Sequence, residues 1–532
     1  MIAAHHHVVD GTRLQTDQRL EADVLIVGTG AGGGVAAELL AKSGLRVIML
    51  ETGPLQLGRD FNMQEQRAYN RLYAEGANLA TADHGIAILR GRAVGGGTTV
   101  NWTTSLRTPD QTLGYWVNRF GLAEVSAEKL APWFDWAERR FNIKPWGIAP
   151  NANNDVLRSG CARLGLQWAV IPRNVSGCAN LGYCGMGCPL DAKQSMLVTT
   201  IPGALEYGAS LYVRTRAWKL EIRRDRVEAL IAQALDAKSI NPTGVTLRIR
   251  ATHYLLAGGA IHSPALLMRS HAPDPYRVLG KRSFLHPTST SLARMPTAVD
   301  GYYGAPQSIY SDHYQWPDGA EGPAGFKLEV PPIHPGLAAG IFGWHGRKLA
   351  AGMQDLPRLN ILLALQRDGF DEQSPGGEVQ LQGDGRGILD YPLNDHLWDG
   401  VRRAWHAMAE IQFAAGACAV MPGHLGGEFD TSLAGIRAQI DRLPLAPYQA
   451  ALFSAHLMGG CGMGANPRAS VIAASGRHHQ LENLTVVDGS VFPTSVGANP
   501  QLSIFAHSAR ITTGLVRELK SGALPDMPRG GK

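Results

Sequence analysis

The sequence predicts an α/β fold, α+β overall, built on a Rossmann-like nucleotide-binding domain whose segments interleave with those of a second domain. Three observations predict it. A strand, glycine turn and helix run from Glu21 to Ser43; a second strand ends on an acid, Glu51; and the same strand, glycine turn and helix order returns far downstream at Leu255 to Ser270 (LLAGGAIHSPALLMRS). A chain of 532 residues has room for roughly three units of about 150 residues each, but that return makes one interwoven fold the better expectation.

The first element is the β-branched run EADVLIV at Glu21 to Val27, which leads into Gly28-Thr29-Gly30-Ala31-Gly32-Gly33 and an Ala/Leu-rich helical stretch. In a dinucleotide fingerprint, Gly28 makes the tight turn, Gly30 lets the backbone approach a pyrophosphate and Gly33 allows close helix packing. Glu51, at the end of LRVIML, is placed to take ribose hydroxyls. The motif implies an ADP moiety and does not by itself separate NAD from FAD. A second glycine loop, GRAVGGGTTVNW from Gly91 to Trp102, contains Gly96, Gly97 and Asn101 and suits backbone contacts to phosphates or a flat polar ring.

Composition narrows the function classes. Hydrophobic residues are 45% and charged residues 18%, enough to build a core and too apolar for global disorder. There are 63 glycines, well above the usual share of about 7%, which suits close backbone approaches to a large cofactor. A net charge of +5 without a basic run makes nucleic acid an unexpected partner. No window reaches the roughly 20 apolar residues of a membrane span, and the first 22 residues lack the apolar stretch of a secretory signal. A soluble, cytoplasmic protein is the expectation. Three N-terminal histidines, His5 to His7, are assigned no function.

Cys178, Cys184 and Cys188 cluster in GCANLGYCGMGCP, while the other three cysteines are scattered. Zinc is disfavoured, because no histidine or fourth cysteine lies between residues 162 and 252. Iron with sulfide, reduced structural thiols and a disulfide stay open. His456 offers an imidazole able to accept a proton near neutrality, and Asn499, beside Pro500, offers an amide able to bond an oxygen.

Together these segments resemble the glucose-methanol-choline (GMC) family of FAD-dependent alcohol oxidoreductases. The C-terminal motifs SAHLMGGCGMG (454 to 464), VVDGSVFP (486 to 493) and GANP (497 to 500) carry the resemblance furthest. Within the family, GGGTTVNW, the CGMGC stretch, Gly325-Phe326-Lys327-Leu328-Glu329 and SAHLMGGCGMG are most similar to the long-chain fatty alcohol oxidase branch.

The resemblance implies an FAD-binding domain from residues 1–110, 177–290 and 450–532. A substrate domain, a mixed sheet backed by helices, would come from 111–176 and 291–449. It implies His456 and Asn499 as the catalytic pair, Asp488 and Gly489 on the ribityl and phosphate side of FAD, and Asn101, Asn499 and Pro500 near the ring. Val100 stands where some members link FAD through a histidine, so noncovalent FAD is expected. The expected substrate is an apolar or long-chain primary alcohol, with oxygen or a cytochrome or quinone taking the electrons. The alternatives are sterol oxidation, or a sugar or polyol dehydrogenase that passes electrons through a [3Fe-4S] cluster on the three cysteines and reaches the periplasm by co-export with a partner subunit. His478, His479 and His507 are expected to be surface or core residues, and the aromatic residues between 300 and 352 to wall a pocket or simply to pack.

Overall fold

The computed structural model describes residues 7–520; the outermost ends of the first and last predicted FAD segments, including His5 and His6, lie outside the described residues. The predicted strand at Glu21 is the inner part of Gln18–Val27, and its neighbour is Val47–Leu50. Both belong to an eight-stranded sheet. Its order is Val8–Asp10, Ser210–Val213, Val47–Leu50, Gln18–Val27, Pro242–Leu256, Arg226–Leu235 and Thr215–Arg223, with Leu484–Val486 also paired to Pro242–Leu256. The strands from Val8–Asp10 through Pro242–Leu256 and the Leu484–Val486 pair run parallel, and the hairpin at the far edge is antiparallel. Val24, Leu25 and Ile26 have no exposed surface, as a parallel strand covered on both faces requires. Burying each such side chain stabilises the fold by about 1.5–3 kcal/mol.

Helix Ala31–Lys42 starts directly after the glycine turn and lies against the C-terminal helix Gln501–Leu519. Small residues permit that approach. The Ser508 hydroxyl donates to the Gly32 carbonyl at 2.8 Å, and a Cβ on Gly32 would come within 2.0 Å of the Val487 carbonyl oxygen. The downstream repeat is present as strand Pro242–Leu256 followed by helix His262–Arg269.

A nine-stranded sheet forms the second layer: Leu79–Ala80, Ile86–Ile88, Leu452–Ser454, Thr288–Arg294, Leu359–Gln366, Phe326–Glu329, Ile309–Ser311 and Ala169–Val170, with Ala419–Pro422 also paired to Thr288–Arg294. It is mixed, because Leu452–Ser454 runs parallel to Ile86–Ile88 while the remaining pairs are antiparallel. The 20-residue helix Asp395–Ala414 backs it, and its buried Trp405 donates to the Thr290 carbonyl at 3.1 Å.

Three short strands of this sheet, Leu79–Ala80, Ile86–Ile88 and Leu452–Ser454, come from stretches that the sequence groups with the FAD segments. Ile86–Ile88 leads into the second glycine loop and Leu452–Ser454 leads into His456. The second sheet thus delivers one cofactor loop and the candidate catalytic histidine to the carboxyl ends of the parallel strands, where open α/β sheets bind ligands.

Candidate active site

The two glycine loops meet. A Cβ on Gly96 would stand 2.9 Å from the Gly30 Cα, whereas a Cβ on Gly30 would meet only the Gly96 Cα at 3.9 Å and one on Gly97 would meet nothing within 4 Å. Gly30 and Gly97 therefore present bare backbone to open space, the cradle a pyrophosphate needs. Gly28 and Gly33 are structural instead. Gly28 has φ +100°, and a Cβ on Gly33 would stand 2.0 Å from the Gly28 carbonyl oxygen.

Glu51 lies beside the cradle. Its carboxylate accepts from the Thr29 hydroxyl at 2.6 Å and from the Gly53 amide at 2.8 Å. It is buried, which raises its pKa, and it keeps lone pairs for a ribose hydroxyl. Asp488 accepts from Gly259 N–H at 2.8 Å, Ser263 O–H at 2.5 Å and Ser490 N–H at 2.8 Å, which ties the C-terminal motif to the downstream glycine turn. Gly489 is required by packing, since a Cβ there would lie 2.7 Å from the Leu457 carbonyl oxygen. These residues fit a bound FAD.

Asn101 is locked by Gln501, whose side-chain oxygen accepts from its amide at 2.7 Å. The Gln501 amide donates in turn to the Thr104 carbonyl at 2.8 Å and the Ser105 hydroxyl at 2.9 Å. Pro500 immediately precedes Gln501–Leu519, with φ −78° suited to a helix start. The second glycine loop and the segment that carries Asn499 are thereby fastened together.

His456 and Asn499 do converge, with His456 Nε2 and Asn499 Nδ2 3.5 Å apart. The Ser454 hydroxyl accepts from the His456 amide at 3.0 Å and donates to the Leu285 carbonyl. On its other side, His456 Nδ1 lies 3.1 Å from His286 Nδ1. The Asn499 amide also donates to Glu329 Oε2 at 3.2 Å, and Gln307 donates to the same oxygen at 2.6 Å. Glu329 Oε1 and Asn499 Oδ1 are buried and unpartnered. Such orphans are costly in a closed interior, and here they belong to the residue that meets the histidine and to its bonded neighbour.

Burial sets the electrostatics. It pushes Glu329 up to about 7, and with the nearby Lys327 ammonium it pushes His456 down to about 4. His286 is held well below its ordinary value by burial, His456 and Lys327. Both imidazoles are therefore neutral near pH 7.

Sequence reasoning did not single out His286 or Gln307, and it quoted Lys327 and Glu329 only as part of a resembling segment. The last two carried a usable signal: charges at alternate positions of a short apolar strand put both on one face, and both are buried. His286 carried none. His478 and His507 are core residues, the latter edge-on to Trp116 and Phe492, and His479 meets Ser470. The aromatic residues of 300 to 352 include packing pairs: Phe342 stacks on Trp344, and Phe326 on Tyr314.

Of the three readings open for the cysteines, the structure has Cys178, Cys184 and Cys188 as free thiols, and among the described residues no three His, Cys, Asp or Glu side chains converge as metal ligands. Cys178 Sγ accepts from the Asn180 amide at 3.4 Å, while Cys184 Sγ turns to the buried Arg173 guanidinium at 3.6 Å. The segment also braces the cofactor loop. Buried Lys193 donates to the carbonyls of Thr99 at 2.6 Å, Cys184 at 2.8 Å and Asn101 at 2.9 Å.

A Rossmann-like sheet with an open glycine cradle, facing a mixed sheet that carries buried titratable groups, is the architecture of a dinucleotide-dependent oxidoreductase. Comparison with known proteins gives the family. The N-terminal and C-terminal models of the GMC oxidoreductases match residues 69–288 and 373–508. Long-chain-alcohol oxidase FAO4A of Arabidopsis thaliana is 28% identical over 94% of this chain and 69% of its own length. The uncharacterized GMC-type oxidoreductase y4nJ of Sinorhizobium fredii is 30% identical over 94% and 96%. Among solved structures, pyridoxine 4-oxidase from Mesorbium loti aligns over 93% of this chain and 98% of its own with a TM-score of 0.67 at 18% identity. A formate oxidase variant of Aspergillus oryzae RIB40 aligns over 95% and 100% with a TM-score of 0.70 at 15% identity. The chain belongs to the GMC oxidoreductases, and it is an FAD-dependent, alcohol-oxidising enzyme. Among the described residues no helix is long and apolar enough to cross a membrane.

Proposed function

We propose that the enzyme oxidises the CH–OH group of an apolar, long-chain primary alcohol to the carbonyl, with noncovalent FAD and with oxygen as the final electron acceptor. The observation that carries the reading is the convergence of half-buried His456 on buried Asn499, which is itself bonded to buried Glu329. Gly30, Gly97, Glu51 and Asp488 would hold the ADP and ribityl side, and Asn101 and Asn499 would lie by the ring. Buried Val100 at the position of a linking histidine supports noncovalent attachment. The similarity to long-chain-alcohol oxidases along nearly the whole chain supports the substrate class.

Bound FAD supplies the hydride acceptor. The chain's own residues hold the alcohol oxygen between His456 and Asn499, exclude water by burial and take the hydroxyl proton. Two groups there are chemically able to accept it, His456 and the carboxylate of Glu329. Stabilising the developing alkoxide with preorganised donors is where the largest rate contribution is expected.

The test is the absorption spectrum of purified protein under argon, before and after adding a long-chain primary alcohol and then air. Bleaching of flavin bands by the alcohol and their rapid return in air is the expected result. A flavin that stays oxidised with every primary alcohol rules the reading out.

A further inference from the structure

We infer that His286 is a positioning residue that holds His456 as its Nε2–H tautomer, so that His456 meets the alcohol oxygen as a hydrogen-bond donor and the hydroxyl proton goes to Glu329. The inference deepens the reading of His456 and Asn499 as the alcohol-oxygen site and rests on it for the proton step. It starts from one backbone amide. Gly497 N–H donates to His286 Nε2 at 3.1 Å, and a backbone N–H has no acceptor form. The peptide is not free to turn, because its own carbonyl, that of Val496, accepts from the Thr112 hydroxyl at 2.9 Å, and the next carbonyl, that of Gly497, accepts from the Gln315 side-chain amide.

The rest follows by counting protons. With Nε2 of His286 bound as an acceptor, the neutral ring carries its proton on Nδ1. That N–H points at His456 Nδ1, 3.1 Å away across an edge-on pair of rings at 82°. His456 Nδ1 must then be a lone pair, and the neutral His456 ring carries its proton on Nε2. The opposite arrangement would set an Nε2–H of His286 against the Gly497 N–H.

On the far side, the Asn499 amide nitrogen donates to Glu329 and stands 3.5 Å from His456 Nε2. Two N–H donors facing one another do not bond, and the gap is one that an oxygen about 2.8 Å from each would bridge. The pair is thus a two-donor site for an alkoxide. A donor cannot also accept, which leaves the unpartnered Oε1 of Glu329. The alcohol O–H bond breaks, its electron pair stays on the oxygen between the two donors, and the proton adds to Oε1 to give the neutral acid.

The tautomer is read directly by nitrogen NMR of protein labelled with ¹⁵N-histidine, which needs no substrate. Wild-type His456, assigned by its loss in His456→Gln, is expected to show a protonated Nε2 and a bare Nδ1. His286→Gln keeps an oxygen for Gly497 N–H and an amide donor for His456, and retains that pattern. His286→Glu offers only acceptors, so His456 Nδ1 becomes protonated and Nε2 becomes the lone pair.

Turnover then separates the roles. Glu329→Gln in the wild-type background lowers kcat by about 100-fold or more, the scale of a lost general base. In the His286→Glu background the same change costs about tenfold or less, because His456 now accepts the proton. A wild-type His456 protonated on Nδ1 overturns the inference, and so does an equal Glu329→Gln loss in both backgrounds. Failure of the proposed function shows elsewhere: the NMR pattern stands while no alcohol bleaches the flavin.

Discussion

Alanine at Gly30 and alanine at Gly33 differ in kind, although both glycines belong to one motif. Gly30 has φ −70° and ψ −164°, a conformation open to any residue, and its added methyl group meets only the Gly96 Cα at 3.9 Å. Replacing glycine at such a position narrows the unfolded ensemble and stabilises the apoprotein by about 0.4–1 kcal/mol. The methyl group projects into the cradle, however, and holds a phosphate off the backbone. Each charge-assisted hydrogen bond lost costs about 1.5–3 kcal/mol, which converts to roughly 10- to 150-fold in FAD affinity.

At Gly33 the methyl group would stand 2.0 Å from the Gly28 carbonyl oxygen and 3.0 Å from the Ala257 Cβ. Backbone must move there, and overpacking of about 1–3 kcal/mol is the minimum expected. The assay is denaturant unfolding of both apoproteins together with FAD titration followed by flavin fluorescence. Gly30→Ala is expected to unfold at or above the wild-type midpoint with weakened FAD binding, and Gly33→Ala to unfold early. Wild-type FAD affinity in Gly30→Ala, or early unfolding of that variant, would refute the assignment of the open cradle.

Three further outcomes are expected. Asn499→Ala removes one of the two donors to the alcohol oxygen and should lower kcat by about 10²–10³-fold, read by steady-state kinetics. Glu329 titrates near 7 and accepts a proton only when ionised. The ratio kcat/KM should therefore rise with pH through about 7, and Glu329→Gln should flatten that limb of the profile. Lys193→Met strands three carbonyls, the buried one of Thr99 and the partly buried ones of Cys184 and Asn101. It should cost at least about 1–3 kcal/mol of stability, measured by the shift in denaturant midpoint, and loosen FAD binding at the second glycine loop.

By itself, the sequence determined the local chemistry. The strand, glycine turn and helix at residues 18–42, their echo at 242–269 and the acid at Glu51 follow from period, glycine placement and short-range order. Those forces act between residues close in the chain, so a linear reading recovers them. The same reading brought out His456 and Asn499, the two groups that the fold sets 3.5 Å apart across 43 residues of sequence.

Tertiary structure decided whatever depends on what packs against a residue. Three cysteines within eleven positions left a cluster, reduced thiols and a disulfide all open, and only the fold sets Cys184 against Arg173, Cys178 against Asn180 and Lys193 as a brace on the segment. Ile86–Ile88 and Leu452–Ser454 are too short to declare a sheet, and only their pairing with each other and of Phe453 with Thr288 places them in the second one. Glycines in one motif separate into Gly30, facing open space, and Gly33, against a carbonyl. Most of all, the hydrogen bond at Gly497 that orients His286 joins residues 211 positions apart, and a tautomer set at that range leaves no trace in residue order.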